Sequence, residues 1–190
     1  MKKISHYIIF YFIIVLFLSG ISYAQSPIQG KVVGVADGDT ITVLQDSKQY
    51  KIRLYGIDTP EKKQGFGQKA KKFTSDMVFR QQVKIVAYDT DRYGRTVGMV
   101  YIGKKCLNEE LIKNGYAWVY KKYCSESFCN RWLQLERKAR VNKLGLWTYD
   151  NPVAPWEFRR GKSNKSKDKI SGKYHGNISS HIFHAPDCKY

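Results

Sequence analysis

Acidic residues are scarce in this 190-residue chain: 16 Asp and Glu stand against 33 Lys and Arg, a formal net charge of +17. The imbalance is not confined to one end. Residues 1–24 carry +2, residues 25–158 carry +9 and residues 159–190 carry +6. Such a balance suits polyanionic partners, a nucleic acid or an anionic surface. Long apolar runs are few. The clearest, residues 8–18, is too short to span a bilayer comfortably. Lys2 and Lys3 precede it, and Ser22 and Ala24 follow. Residues 1–24 therefore read as a secretory signal peptide cleaved before Gln25, with an uncleaved anchor as the alternative. No cysteine follows the run, which argues against a lipid anchor. There are only four cysteines. Cys124 and Cys129 frame a tight loop, and in an exported protein they can bond, stabilising by roughly 2 kcal/mol. Cys106 is expected as a buried free thiol. Cys188, with His175, His181 and His184, falls short of the ligands a metal knuckle shows.

Residues 25–158 are long enough for one domain around one core, and residues 159–190 read as a basic, disordered tail. The domain is organised around Arg53-Leu54-Tyr55-Gly56-Ile57-Asp58-Thr59-Pro60-Glu61. Tyr50, Ile52 and Leu54 alternate with Lys51, Arg53 and Tyr55, the two-residue period of a strand. Pro60 then ends the ladder and holds Thr59 extended. An arginine and two carboxylates thus share a strand end and its turn. Upstream, residues 30–36 and 41–44 read as a hairpin around Asp37-Gly38-Asp39-Thr40. The aspartates have the one–three spacing of an EF-hand. That motif is excluded, because Ile41 and Lys48 occupy its fifth and twelfth positions. Asp39 can still lend a carboxylate to a shared site.

Downstream, Phe66, Ala70, Phe73 and Met77 predict an amphipathic helix of about four turns, with Lys69, Lys71 and Lys72 mostly on its wet side. Strands are expected at 83–88 and 95–101 around a polar turn at 89–94. A short helix follows at 107–113, and another carries Trp132, Leu135 and Ala139. Residues 116–123 interleave four aromatics with two lysines, as stacking on bases and pairing with phosphates require. In that strand Trp118 and Tyr120 share one face, and the smaller Ala117 and Val119 are expected to face inward.

Three separated stretches fit one task. Asp39 and Asp58 can share a hard cation, Arg53 and Arg95 can grip a phosphate, and Glu61 can activate water. Phosphodiester hydrolysis needs these parts. At this point the sequence resembles the staphylococcal nuclease (thermonuclease) family over residues 30–147. The landmarks are Asp37-Gly38-Asp39-Thr40, the stretch from Arg53 to Glu61, Asp91-Arg92-Tyr93-Gly94-Arg95-Thr96, Leu107-Asn108-Glu109 and Gly145-Leu146-Trp147. Each is weak alone; in order, they are specific.

The resemblance implies an α+β fold, a five-stranded OB-type β-barrel with three helices. It implies an exported, calcium-dependent endonuclease acting on DNA and RNA and leaving 3′-phosphate ends. By motif, Asp39 and Asp58 would bind calcium with the Thr59 carbonyl. Glu61 would be the general base, and Arg53 and Arg95 would stabilise the scissile phosphate. Arg92 and Tyr93 would lie near a terminal phosphate, and Trp118 and Tyr120 beside the nucleotide. Trp118 stands where the family has a tyrosine, and the loop after Glu61 is shorter. Two carboxylates predict weak calcium binding, about 10⁻⁴–10⁻³ M. The protein is expected to be a monomer in the periplasm or medium, without stable membrane association. Two other readings compete: a non-catalytic nucleic-acid-binding OB module, and a basic surface protein that adheres through residues 159–190.

Overall fold

The computed structural model describes residues 27–161 and two short paired strands, His175–Asn177 and Ile182–His184. The signal peptide expected over residues 1–24 and most of the basic tail, Cys188 and His181 included, lie outside the described residues.

Five strands carry the architecture: β1 (Ile28–Asp37), β2 (Thr40–Gln45), β3 (Lys48–Leu54), β5 (Gln82–Thr90) and β6 (Thr96–Ile102). β4 (Ile57–Asp58) is a two-residue strand after β3. The sheet order is β3-β2-β1-β5-β6, each neighbour antiparallel. Five strands alternating in direction leave the first and last pointing the same way. The closing pair is therefore parallel, with Ile52 opposite Thr96 and Leu54 opposite Gly98. Closure removes the exposed sheet edges. This is the expected OB-type barrel.

α1 (Gly67–Val78) follows the β4 turn, β7 (Lys105–Cys106) extends the sheet, and α2 (Leu107–Lys113) starts at once after it. α1 buries Ala70, Thr74 and Val78, one stripe at helical spacing. β8 (Trp118–Val119) pairs with β4, placing Asp58 opposite Trp118. α3 (Cys129–Val141) begins at the disulfide Cys124–Cys129, and Cys106 is a half-buried free thiol. A 3₁₀ turn, Gly145–Thr148, precedes α4 (Pro155–Phe158), so among the described residues a short fourth α-helix joins the three expected. Among the described residues no helix is long and apolar enough to cross a membrane.

The core joins the barrel interior, including Val32, Ile41, Ile52, Leu54 and Ile85, to Leu111 of α2 and Trp132 of α3. A smaller cluster of Trp118, Ala139, Leu146, Trp147 and Ala154 lies beside it. Asn108 locks the two ends of the barrel seam. Its Oδ1 accepts from the Val100 N–H at 3.1 Å, and its Nδ2 donates to the Tyr55 and Gly98 carbonyls at 3.0 and 3.3 Å. Asn108→Ala strands the Val100 N–H and the Tyr55 carbonyl together, while the Gly98 carbonyl keeps the Tyr55 N–H at 2.9 Å. It is expected to cost about 3 kcal/mol in urea unfolding, since each unsatisfied group costs roughly 1–3 kcal/mol.

Candidate active site

The turn after β1 and the end of β3 are neighbours because β2 pairs with both. Thr40 faces Arg53 across the β2–β3 ladder. The Arg53 guanidinium therefore reaches two carboxylates at once. Nη1 bonds Asp39 Oδ1, and Nη2 bonds Asp58 Oδ1 at 2.7 Å. Both carboxylates are buried, with side chains 2 % and 1 % exposed. Burial works against the Arg53 charge, yet Asp39 and Asp58 outweigh it and hold the guanidinium above its usual pKa. Thr59 closes the other side, since its N–H and Oγ1 donate to Asp39 Oδ2 at 2.7 and 2.9 Å. Gly38 makes this possible. A Cβ there would meet Thr59 Oγ1 at 2.6 Å.

The carboxylates crowd one another. Burial, and then Asp39, push the Asp58 carboxyl up against the pull of Arg159 and Arg53. Burial and Asp39 likewise raise half-buried Asp37 to about 6, while its Oδ1 accepts the Asp39 N–H at 3.2 Å. A carboxyl raised above its unfolded value of 3.8 favours the fold most when protonated. Its contribution is complete below pH 3.8 and is lost as pH rises through about 6. In chelator, Asp37→Asn should abolish this part of the pH dependence. It should also stabilise the protein at pH 7 by roughly 2 kcal/mol in urea unfolding across pH 4–7.

Arg95 approaches the same corner from the start of β6. Its Nη1 lies 3.4 Å from Thr40 Oγ1, and its Nε donates to Asp91 Oδ2 at 2.7 Å. Asp91 builds that turn, because its Oδ1 also accepts the Tyr93 and Arg95 N–H groups at 2.9 and 3.0 Å. Burial would raise the Asp91 carboxyl, but the bonds from Arg95 and Tyr93 prevail and hold it low. Arg92 and Tyr93 sit exposed on the same turn, joined by a 2.6 Å bond from Arg92 Nη2 to the Tyr93 hydroxyl. The Tyr93 ring also lies 5.5 Å from the Arg95 guanidinium.

Glu61 stands at the rim, 37 % exposed. Its backbone is clamped by Gln64, whose Oε1 accepts the Glu61 N–H at 3.1 Å and whose N–H donates to the Glu61 carbonyl at 2.8 Å. Gly67 lets α1 start against that carbonyl, which a Cβ would strike. The Glu61 side chain meets a group the sequence reading placed in the tail: Arg159. Arg159 Nη1 donates to Glu61 Oε1 at 2.6 Å and to Asp58 Oδ1 at 3.3 Å, and Nη2 donates to Asp58 Oδ2 at 2.7 Å. The domain end expected at 158 thus falls one residue short of a site contact. Two signals could have shown it: Pro155, well suited to a helix start, and Trp156 and Arg159 at i, i+3 spacing.

The aromatic stretch differs from the expectation in one respect. Ala117, Trp118 and Val119 are all buried, so the small pair does not alone face inward. β8 is only two residues long and is covered on both faces. Trp118, 5 % exposed, sets its ring edge-on to Trp147 at 4.9 Å and is closed to stacking on a base. Tyr120 is half-buried and stacks on Trp156, with ring centres 4.9 Å apart and planes at 13°.

The structure therefore brings Asp39, Arg53, Asp58, Thr59, Glu61 and Arg95 to one face of the barrel and leaves Arg92, Tyr93 and Tyr120 around it. Among the described residues no group of three or more His, Cys, Asp and Glu side chains is arranged to hold a metal by itself. The donors nonetheless suit a hard cation. Asp39 and Asp58 offer only oxygens, they share one guanidinium, and burial, with Asp39 beside them, raises the Asp37 and Asp58 carboxyls. A cation here would complete its shell with carbonyl, water or substrate oxygens.

The chain is 43% identical over 131 residues to an uncharacterized endonuclease of Haemophilus influenzae, covering 68% of this chain and 72% of that one. It is 36% identical over 150 residues to a micrococcal nuclease of Shigella flexneri, covering 74% and 86%. It is also 35% identical over 140 residues to a probable staphylococcal-like nuclease of Oryza sativa subsp. japonica, covering 74% and 36%. The family model for staphylococcal nuclease homologues matches residues 51–149, which takes in Arg53, Asp58, Glu61 and Arg95 and stops short of Trp156 and Arg159. The chain belongs to the staphylococcal nuclease homologue family.

Proposed function

We propose that this protein is an exported nuclease, a calcium-dependent endonuclease that hydrolyses phosphodiester bonds of DNA and RNA. The observation that carries the reading is the convergence of two buried carboxylates, two arginines and a rim glutamate on one barrel face. The nuclease names of its relatives support it. So does the disulfide, which suits an oxidising compartment such as the periplasm or the medium.

Arg53 and Arg95 approach the Asp39–Thr40 corner from different strands, so a phosphate there is held on two sides. Their forks bind the charge that grows on its oxygens as water adds. Glu61 takes the proton of that water. The water oxygen joins phosphorus, the P–O5′ bond breaks, and the departing O5′ takes a proton from solvent water, leaving a 3′-phosphate and a 5′-hydroxyl. Calcium, held by Asp39 and Asp58 with the Thr59 carbonyl, would supply polarisation of a phosphoryl oxygen. Arg92, Tyr93 and Tyr120 flank the substrate. The net charge of +17 makes binding fall steeply with salt.

The test is cleavage of single- and double-stranded DNA and of RNA by the purified protein, with calcium or with chelator, followed by end-group analysis. Calcium-dependent cutting to 3′-phosphate ends is expected. A folded protein that binds DNA in a salt-sensitive way and cuts nothing would instead be a binding module.

A further inference from the structure

The chain beyond the family match folds back over the site. Residues 151–161 leave the Gly145–Thr148 turn and are held at four points. Gln64 Nε2 donates to the Val153 carbonyl at 2.6 Å, and Ala154 is buried in the Trp118–Trp147 cluster. One α4 turn then carries Trp156 onto Tyr120 and Arg159 onto Asp58 and Glu61. Each of the last two contacts takes the place of something the site is built to receive. Trp156 covers a ring face of Tyr120, where a base would stack. Arg159 spends its fork on Asp58 and on the Glu61 oxygen, the carboxylates that a cation and a water would need.

We propose that residues 151–161 form an autoinhibitory strap: Trp156 and Arg159 close the site on itself, and a divalent cation together with nucleic acid displaces them. The inference rests on the roles given above to Asp58 and Glu61. Two cations converging on Asp58 Oδ2 repel each other, so the Arg159 guanidinium and a divalent ion compete for it. A divalent ion brings twice the charge and prefers oxygen donors. Arg159 is 41 % exposed and can swing into solvent, and a cation that replaces it on buried Asp58 leaves no carboxylate uncompensated. A ligand admitted only by the open form binds more weakly, in proportion to how rarely that form is populated. The displaced arginine and indole stay tethered beside the bound strand.

The test compares the wild-type protein with Arg159→Gln, Trp156→Ala and Arg160→Gln. Arg160→Gln removes the same charge one residue further on. Calcium binding is measured by titration calorimetry without nucleic acid. Binding of a short oligothymidylate is measured by fluorescence anisotropy in chelator. Arg159→Gln should bind calcium about tenfold tighter, within the usual range of coupling between sites. Trp156→Ala, which removes no charge, should bind both calcium and the oligonucleotide several-fold tighter. Arg160→Gln should stay within about twofold of wild type for calcium. Equal or weaker calcium binding by Arg159→Gln and Trp156→Ala overturns the strap, as does an Arg160→Gln gain that matches Arg159→Gln. If no protein binds calcium, the calcium assignment fails and the oligonucleotide decides: tighter binding by Trp156→Ala supports the strap, and unchanged or weaker binding overturns it. Should Trp156→Ala fail to fold, Arg159→Gln against Arg160→Gln decides it.

Discussion

Arg53→Gln is expected to slow cleavage by about 10²–10³, the usual cost of one preorganised charge donor, and to lower stability by about 3 kcal/mol in chelator. The two losses have one origin. Arg53 is the common counter-ion of Asp39 and Asp58, one guanidinium nitrogen on each. Without it, two adjacent buried carboxylates face each other, and Asp37 adds a third acidic group nearby. Removing one partner of a buried pair costs roughly 3–5 kcal/mol because the other is left uncompensated. Arg159 already leans on Asp58 and offsets part of that. Calcium should stabilise the variant more than the wild type, because a ligand of the folded state stabilises in proportion to its binding. Arg53→Lys should recover much of the stability and little of the rate, since an ammonium cannot bridge both carboxylates and grip a phosphate in the planar fork. Urea unfolding with and without calcium, beside steady-state cleavage, separates the effects. A Gln variant cutting within tenfold of wild type would remove Arg53 from the chemistry.

What the sequence made legible was local. The two-residue alternation through Ile52 and Leu54 predicted β3, the Asp-Gly pair predicted the β1–β2 turn, and residues 107–113 predicted α2 to the residue. Each rests on a spacing or a turn preference that neighbours in the chain decide. The carboxylates and arginines were legible for another reason: their residue types and order carry the family resemblance. What stayed hidden was settled across long stretches of chain. The parallel β3–β6 closure follows only once all five strands are paired in order. Trp118 looked available because alternation was counted, but the second cluster covers the face it points to. Gln64, in the loop after Glu61, is buried and ties Glu61 to Val153, a contact that no local spacing announces. Arg159 sits where composition turns polar and reads as tail; its role comes from contacts 98 and 101 residues away.

Glu61→Gln should lower the cleavage rate by about 10³, within the range for removing a positioned general base, while leaving the fold and substrate binding nearly intact. Glu61 is the member of the site that stands outside its buried network. Asp39, Arg53, Asp58 and Thr59 bond to one another, whereas the Glu61 carboxylate reaches out to Arg159 alone among the described residues. Its backbone is set separately, by Gln64 and by the approach that Gly67 permits. Glutamine keeps the shape and removes the proton acceptor. A fall in kcat with KM unchanged is therefore expected, because the lost interaction operates only in the transition state. Glu61→Asp keeps the carboxylate but withdraws it by one methylene, and should fall between the two. Calcium affinity offers an independent reading, since neutralising Glu61 also loosens the hold on Arg159. A strap weakened in this way should give up Asp58 more readily, so Glu61→Gln should bind calcium no more weakly than wild type despite carrying one negative charge fewer. Cleavage within threefold of wild type would move the base to another group and leave Glu61 as an anchor for the strap.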